Sequence, residues 1–239
     1  MNIPTIQGLI DRRILINFTA DAATVQQMLP APFSPKLYEG KAIVGICLIR
    51  LKQIRPKGFP SFIGISSENA AHRIAVEWQE KDGPRQGVFI PRRDTSSLLN
   101  SAAGGRIFPG KHFHAKFNVK ESAGKYKLAI TGNDGTSISI AAEQTSGFPQ
   151  ASIFKNLRNA SAFFEAGATG YSPGKKMFEG LTLKTFDWKV TPLLVESVRS
   201  SFFENEALFP KGSVQFDNAL LMTGIEHEWH AVPEKNLCV

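Results

Sequence analysis

The chain has 239 residues, 42% of them hydrophobic and 18 of them Phe, which is ample material for one large core. Its 28 basic and 21 acidic residues leave a net charge of +7, but the Lys and Arg are scattered and no run of five like charges occurs, which argues against a nucleic-acid binder. No apolar stretch approaches the roughly 20 residues of a membrane span, and Met1-Asn2-Ile3-Pro4 lacks the basic and apolar regions of a signal peptide. A soluble cytoplasmic protein is expected, with Cys47 and Cys238 as reduced thiols.

In chain order, residues 12–19 read as a strand, and Asp21 caps a short helix from Ala22 to Leu29 that Pro30 and Pro32 end. A long run from Ala42 to Ile54 is apolar on both faces at first and amphipathic later, as a strand starting in a core would be. After the turn at 55–60 come two strands, 66–78 and 87–95. On the first, Glu68, Ala70, His72, Ile74, Val76 and Trp78 share a face. On the second, Val88, Ile90, Arg92 and Asp94 do the same. Thr95 or Asp94 can cap a helix through Ala103, stopped by Gly104-Gly105. Residues 112–120 alternate, and Asn133-Asp134-Gly135 joins 126–131 to 136–142 as a hairpin. Ser152 to Ala166 has helical spacing, broken by Gly167, and β-like runs follow at 181–190, 194–202 and 219–230. The pattern predicts an α+β fold, mainly antiparallel β, as a single domain over 1–239 with about three helices.

Charged groups ending apolar strand faces must be paired or must line a wet cavity, because burying a lone charge costs several kcal/mol, by rough estimate. Glu68 and Arg92 therefore form either a structural pair closing one end of the fold or part of an anion-recognising pocket, and composition does not separate the two. His72 reads as a core histidine or as a pocket group. His112 and His114 share a solvated strand face, and His227 and His230 fall on opposite faces, so no metal site is expected. No nucleophile elbow or phosphate-cradling glycine motif occurs.

At these residues the chain resembles a family. Met28-Leu29-Pro30-Ala31-Pro32-Phe33 resembles an early turn of acetoacetate decarboxylases, and Phe89-Ile90-Pro91-Arg92-Arg93 resembles their strand ending in Phe-Pro-Lys-Lys. Gly45 to Arg50, Ser66 to Arg73 and Ile90 to Ser96 are more similar still to the YqjF-like bacterial proteins, an uncharacterised family of the same superfamily. The likeness spans 9–230 and is most specific over 26–120. It implies a barrel-like β fold with a central cavity. In the decarboxylases the first lysine forms a Schiff base with the keto acid. Arg92 stands there instead, and a guanidinium forms no such adduct. The resemblance puts Glu68 and Arg92 in the cavity, with Arg92 presenting its fork to Glu68 or to a ligand carboxylate. The expected ligand-binding set is Arg92, Glu68, His72, Asn69, Arg93 and Asp94, with Glu68 or His72 as acid/base if the protein is catalytic. The expected partner is a small acidic metabolite, with no cofactor, no nucleic acid and no membrane. Self-association is left open, as is the choice between a non-Schiff-base lyase or hydrolase and a binding or sensing protein.

Overall fold

The computed structural model describes residues 4–103, 110–174 and 178–232. Strand β1 (Ile6–Ala20) leads to helix α1 (Ala22–Met28), two short strands β2 (Ser34–Pro35) and β3 (Leu37–Tyr38), and the long strand β4 (Lys41–Pro56). A 3-10 turn (Ser61–Ile63) precedes β5 (Ile65–Glu80) and β6 (Gly83–Thr95), and α2 (Leu98–Ala103) follows. Then come β7 (His112–Ser122), β8 (Lys125–Gly132), β9 (Ser137–Gln144), α3 (Leu157–Glu165), β10 (Thr169–Pro173), β11 (Phe178–Thr185), β12 (Thr191–Ser200) and β13 (Val214–Ala231). Gly104-Gly105 and Cys238 lie outside the described residues.

Asp21 caps α1 as expected, its Oδ1 accepting from the Thr24 amide at 2.9 Å. Helix α3 is shorter than its apolar spacing predicts. Asp217 of β13 takes the Ser152 hydroxyl (2.7 Å) and the Ile153 amide (2.8 Å), tying 152–155 into a turn. Asn156 then caps the helix by accepting from the Asn159 amide. Strand β10 is an addition: its one glycine, Gly170, lies just after the Gly167 that ends the helical spacing, and nothing local marks the segment as strand.

Among the described residues, all thirteen strands belong to one mixed sheet, mostly antiparallel, with β6 parallel to both β7 and β10. Its pairing path returns on itself twice. The larger circuit runs β6–β7–β8–β9–β12–β13–β1–β4–β5 and back to β6. The smaller runs β6–β10–β11–β13–β1–β4–β5 and back to β6. Strands β13, β1, β4, β5 and β6 therefore wall both circuits. That is why Ala42 to Leu48 is buried without interruption: a strand covered on both faces carries apolar residues at every position.

The larger circuit is filled. Ile14, Ile16, Val44, Ile46, Leu48, Ala70, Ile74, Val76, Phe89, Leu128 and Ile140 pack there in one cluster with Phe203 and Phe209. On the opposite faces of the shared strands, Leu15, Ile43, Cys47 and Ala75 meet Phe154, Phe163 and Phe164 around α3. The two faces of the same strands thus serve different interiors.

Candidate functional site

A cavity of about 380 Å³ lies on the smaller circuit's side, lined by residues from all seven of its strands and from α3. Alternation selects the lining: Arg13 and Leu15 from β1, Cys47 and Ile49 from β4, Asn69, Ala71, Arg73 and Ala75 from β5. Phe163, Phe164, Leu181, Leu183, Trp188 and Trp229 supply much of the apolar wall.

Arg73 is only 5% exposed. It stands opposite Gly45, where a Cβ would lie 3.3 Å from its Nη2 and 2.4 Å from the Ile16 carbonyl oxygen, so the glycine makes room for the guanidinium. Nη2 donates to Asn17 Oδ1, and Asn17 is held by Asn218 at 2.7 Å. The Cζ sits 4.8 Å from the Phe164 ring centroid, and Nε has no hydrogen-bond partner. Burial pushes the guanidinium down to about 10, which leaves it charged at neutral pH. Arg93 donates from Nε to Ser172 Oγ at 3.0 Å, and burial brings it to about 10 as well. Arg13 lies 5.9 Å from the Trp188 ring centroid, and its hydrogen-bond partners are Cys47 Sγ at 3.4 Å and Met222 Sδ at 3.9 Å, both weak acceptors. Among the described residues no carboxylate forms an ion pair with any of these three arginines. Lys36 adds a further cation 4.2 Å from the Phe163 ring, its pKa lowered by burial.

Of the residues expected from sequence, Asn69, Arg93 and Asp94 line this cavity, whereas Glu68, His72 and Arg92 do not. The expected Glu68–Arg92 pair is not formed. Glu68 binds Arg12 (2.5 Å) and Arg50 (2.6 Å), and Glu121 joins both arginines in one cluster. Arg92 binds Asp94 (2.7 Å) and Asp134 (2.6 Å) and lies over Phe113 at 4.3 Å. Glu68 and His72 stand on the even-numbered face of β5, which packs the filled interior, and a bulge takes Arg92 off the cavity face of β6 to a position opposite His72 rather than Glu68. His72 pairs with Arg92 but Ile74 pairs with Phe89, so β6 holds one extra residue across that step, Ile90 and Pro91 facing Arg73 alone. Val88 and Ile90 line the cavity before the bulge and Arg93 after it, which turns Arg92 away.

His72 is completely buried in the filled interior, its Nε2 3.0 Å from Ser200 Oγ and its ring 4.5 Å from that of Phe202. Burial, and then the charge of Arg92, hold its pKa down to about 3, so it stays neutral. His112 was placed on a solvated face by its alternation, but it is half-buried and lines the cavity. Burial and Arg93 push it down to about 4. Asp94 lines the cavity with a pKa raised by burial, against the opposing pull of Arg92. Sequence reasoning missed Arg13, Arg73 and Lys36. For Arg13 the signal lay in the doublet Arg12-Arg13, because neighbours on a strand point to opposite faces and one of the two faces the second interior.

A family model described as an uncharacterized conserved protein, DUF2071 (COG2071), matches residues 10–215. The chain belongs to this family. No curated protein matches it. Among solved structures, an acetoacetate decarboxylase-like enzyme from Sphingomonas wittichii RW1 is similar, with 12% identity, a TM-score of 0.60, and coverage of 97% of this chain and 92% of that one. An acetoacetate decarboxylase from Legionella pneumophila follows with 13% identity, a TM-score of 0.59, and coverage of 96% and 87%. The enduracididine biosynthesis enzyme MppR, complexed with pyruvate, has 10% identity, a TM-score of 0.54, and coverage of 96% and 89%. At such identities the likeness establishes the fold. This DUF2071 protein therefore has the acetoacetate decarboxylase-like fold that its sequence motifs imply, with α+β content dominated by strand.

Proposed function

We propose that this protein binds a small acidic metabolite of the keto or enol acid class in the arginine-lined cavity. The observation that carries the reading is Arg73, a buried guanidinium without a carboxylate partner and with Nε unbonded. An uncompensated buried cation is costly, and a ligand carboxylate is the natural counter-charge because it matches the guanidinium fork. The apolar walls around the cations suit the carbon skeleton of such an acid. MppR, a protein of the same fold, is described in complex with pyruvate, which agrees with this ligand class.

The reaction of a true acetoacetate decarboxylase is not the one proposed. Arg92 and Arg93 stand where that family has its lysine pair, and neither guanidinium forms a Schiff base. A second reading, a lyase or hydrolase acting on the same acid, draws on one observation. Asp94 is a cavity carboxylate whose pKa is raised, which suits proton transfer. The test is calorimetric titration with pyruvate and acetoacetate, each against its methyl ester. The acids should bind and the neutral esters should not. Equal binding of acid and ester, or no binding of either acid, refutes the proposal.

A further inference from the structure

We propose that Cys47 is a covalent modification site for small electrophilic acids, its sulfur bonding the ligand's carbon while the cavity guanidiniums hold the carboxylate. This rests on the acid-binding reading and adds a bond-forming group to the same cavity. Cys47 stands on β4, is 9% exposed, and lines the cavity. Register sets it in a row across three strands: Cys47 pairs with Ala71 on β5, and Ala71 pairs with Arg93 on β6. With neighbouring strands roughly 4.8 Å apart, the backbones at Cys47 and Arg93 are about 10 Å apart, and only the Ala71 methyl stands between them in the wall. On the other side Cys47 pairs with Leu15, and Arg13, two residues before it on β1, donates from Nε to Sγ at 3.4 Å. The sulfur also acts electrostatically on both Arg73 and Arg93, so one thiol lies within reach of all three guanidiniums.

A cysteine in a packed strand is by itself a core residue, and Cys47 does pack with Leu15, Ile43 and Ala75. What separates it from the rest of that cluster is Arg73, whose buried Nε lacks a hydrogen-bond partner in the same cavity. An anion that satisfies this group settles beside the sulfur. Where the acid carries a leaving group on the carbon next to its carboxylate, the step is a displacement. Sγ gives up its proton to water, its electron pair forms a C–S bond, and the leaving group departs with the electrons of the broken bond.

The experiment alkylates the folded protein with iodoacetate and with iodoacetamide, one anionic and one neutral, and follows the Cys47 peptide by mass spectrometry. The urea-unfolded chain supplies the reference for the same cysteine. Both reagents meet one sulfur and expel iodide, so the ratio of their rates does not depend on how much of the thiol is ionised. That ratio should favour iodoacetate at least about tenfold more in the folded protein than in the unfolded chain, because a cleft of one sign concentrates the opposite charge. In Arg73→Met the preference should fall at least about threefold. Equal ratios in folded and unfolded wild type overturn the proposal. Cys47 that resists both reagents while pyruvate binds in calorimetry also overturns it, and leaves the acid-binding reading intact. If Cys47 resists both reagents and pyruvate does not bind, both readings fall. A preference that survives in Arg73→Met overturns the part given to Arg73. The wild-type ratio decides the proposal even if Arg73→Met does not fold.

Discussion

Replacing Arg73 by Met separates a recognition residue from a structural one. The structure allows both sides of the balance to be estimated. Burial lowers the guanidinium from 12.5 to about 10, which corresponds to about 3 kcal/mol against the charged form and is relieved when the charge is removed. Lost in exchange are a charged hydrogen bond to Asn17, roughly 1.5–3 kcal/mol, and the contact with the Phe164 ring, about 1 kcal/mol, part of which a Met thioether restores. The two sides nearly cancel, so Arg73→Met should change the stability of the ligand-free protein by about 1 kcal/mol or less. Arg12→Met is the control. Arg12 is equally buried but binds Glu68 and Glu121, and breaking such a pair costs about 3–5 kcal/mol, nearer the lower figure here because Arg50 still holds both carboxylates. Urea unfolding followed by tryptophan fluorescence measures both variants, with the m-value checked for constancy. Pyruvate titration should show at least a tenfold loss of affinity in Arg73→Met. If Arg73→Met is as destabilising as Arg12→Met and binds pyruvate like wild type, Arg73 is a structural residue and the reasoning fails.

Treatment with acetoacetate and borohydride should leave the mass of the protein unchanged, and an adduct on Lys36 or Lys184, the lysines lining the cavity, would refute the absence of Schiff-base chemistry. His72 is held to about 3 in the folded chain against 6.5 when free, so between pH 6.5 and 3 the unfolded chain takes up a proton that the folded chain does not, and stability falls as pH falls through that window. His72→Gln should therefore lose about 2 kcal/mol less than wild type between pH 7 and pH 5 in urea titrations; an unchanged loss contradicts it. Gly45→Ala places a methyl group 2.4 Å from the Ile16 carbonyl oxygen and against the Arg73 guanidinium, so it should cost about 1–3 kcal/mol and weaken acid binding, whereas a variant with wild-type melting temperature and affinity would show that the strand yields freely.

Much of the fold is legible because its signals are local. The alternation of β5, the Asp21 cap and the Asn133-Asp134-Gly135 hairpin all lie within a few residues of the elements they specify. The candidate site is less legible, because it depends on partners far apart in sequence. Trp78, Ile74 and Val76 make the even-numbered face of β5 the more apolar one, and that face packs the filled interior; the cavity takes the face carrying Asn69, Ala71 and Arg73. The bulge at Ile90-Pro91 exchanged Arg92 for Arg93. Pro91 is itself a hint, since a proline inside a paired strand is confined to edges and bulges, but whether the extra residue falls before or after it is set by pairing with β5. The length of α3 went astray for the same reason: the Asp217 that ties down Ser152 and Ile153 comes from a strand more than sixty residues further on.

The walls shared by the two circuits give this protein a comb-like division of labour. Along β1, β4 and β5, one set of alternate teeth specifies the packed interior and the other specifies what the cavity accepts. A library that varies residues 13, 47, 49, 69, 71 and 73 while leaving 14, 46, 48, 70, 74 and 76 untouched would sample new ligand preferences on an unaltered framework.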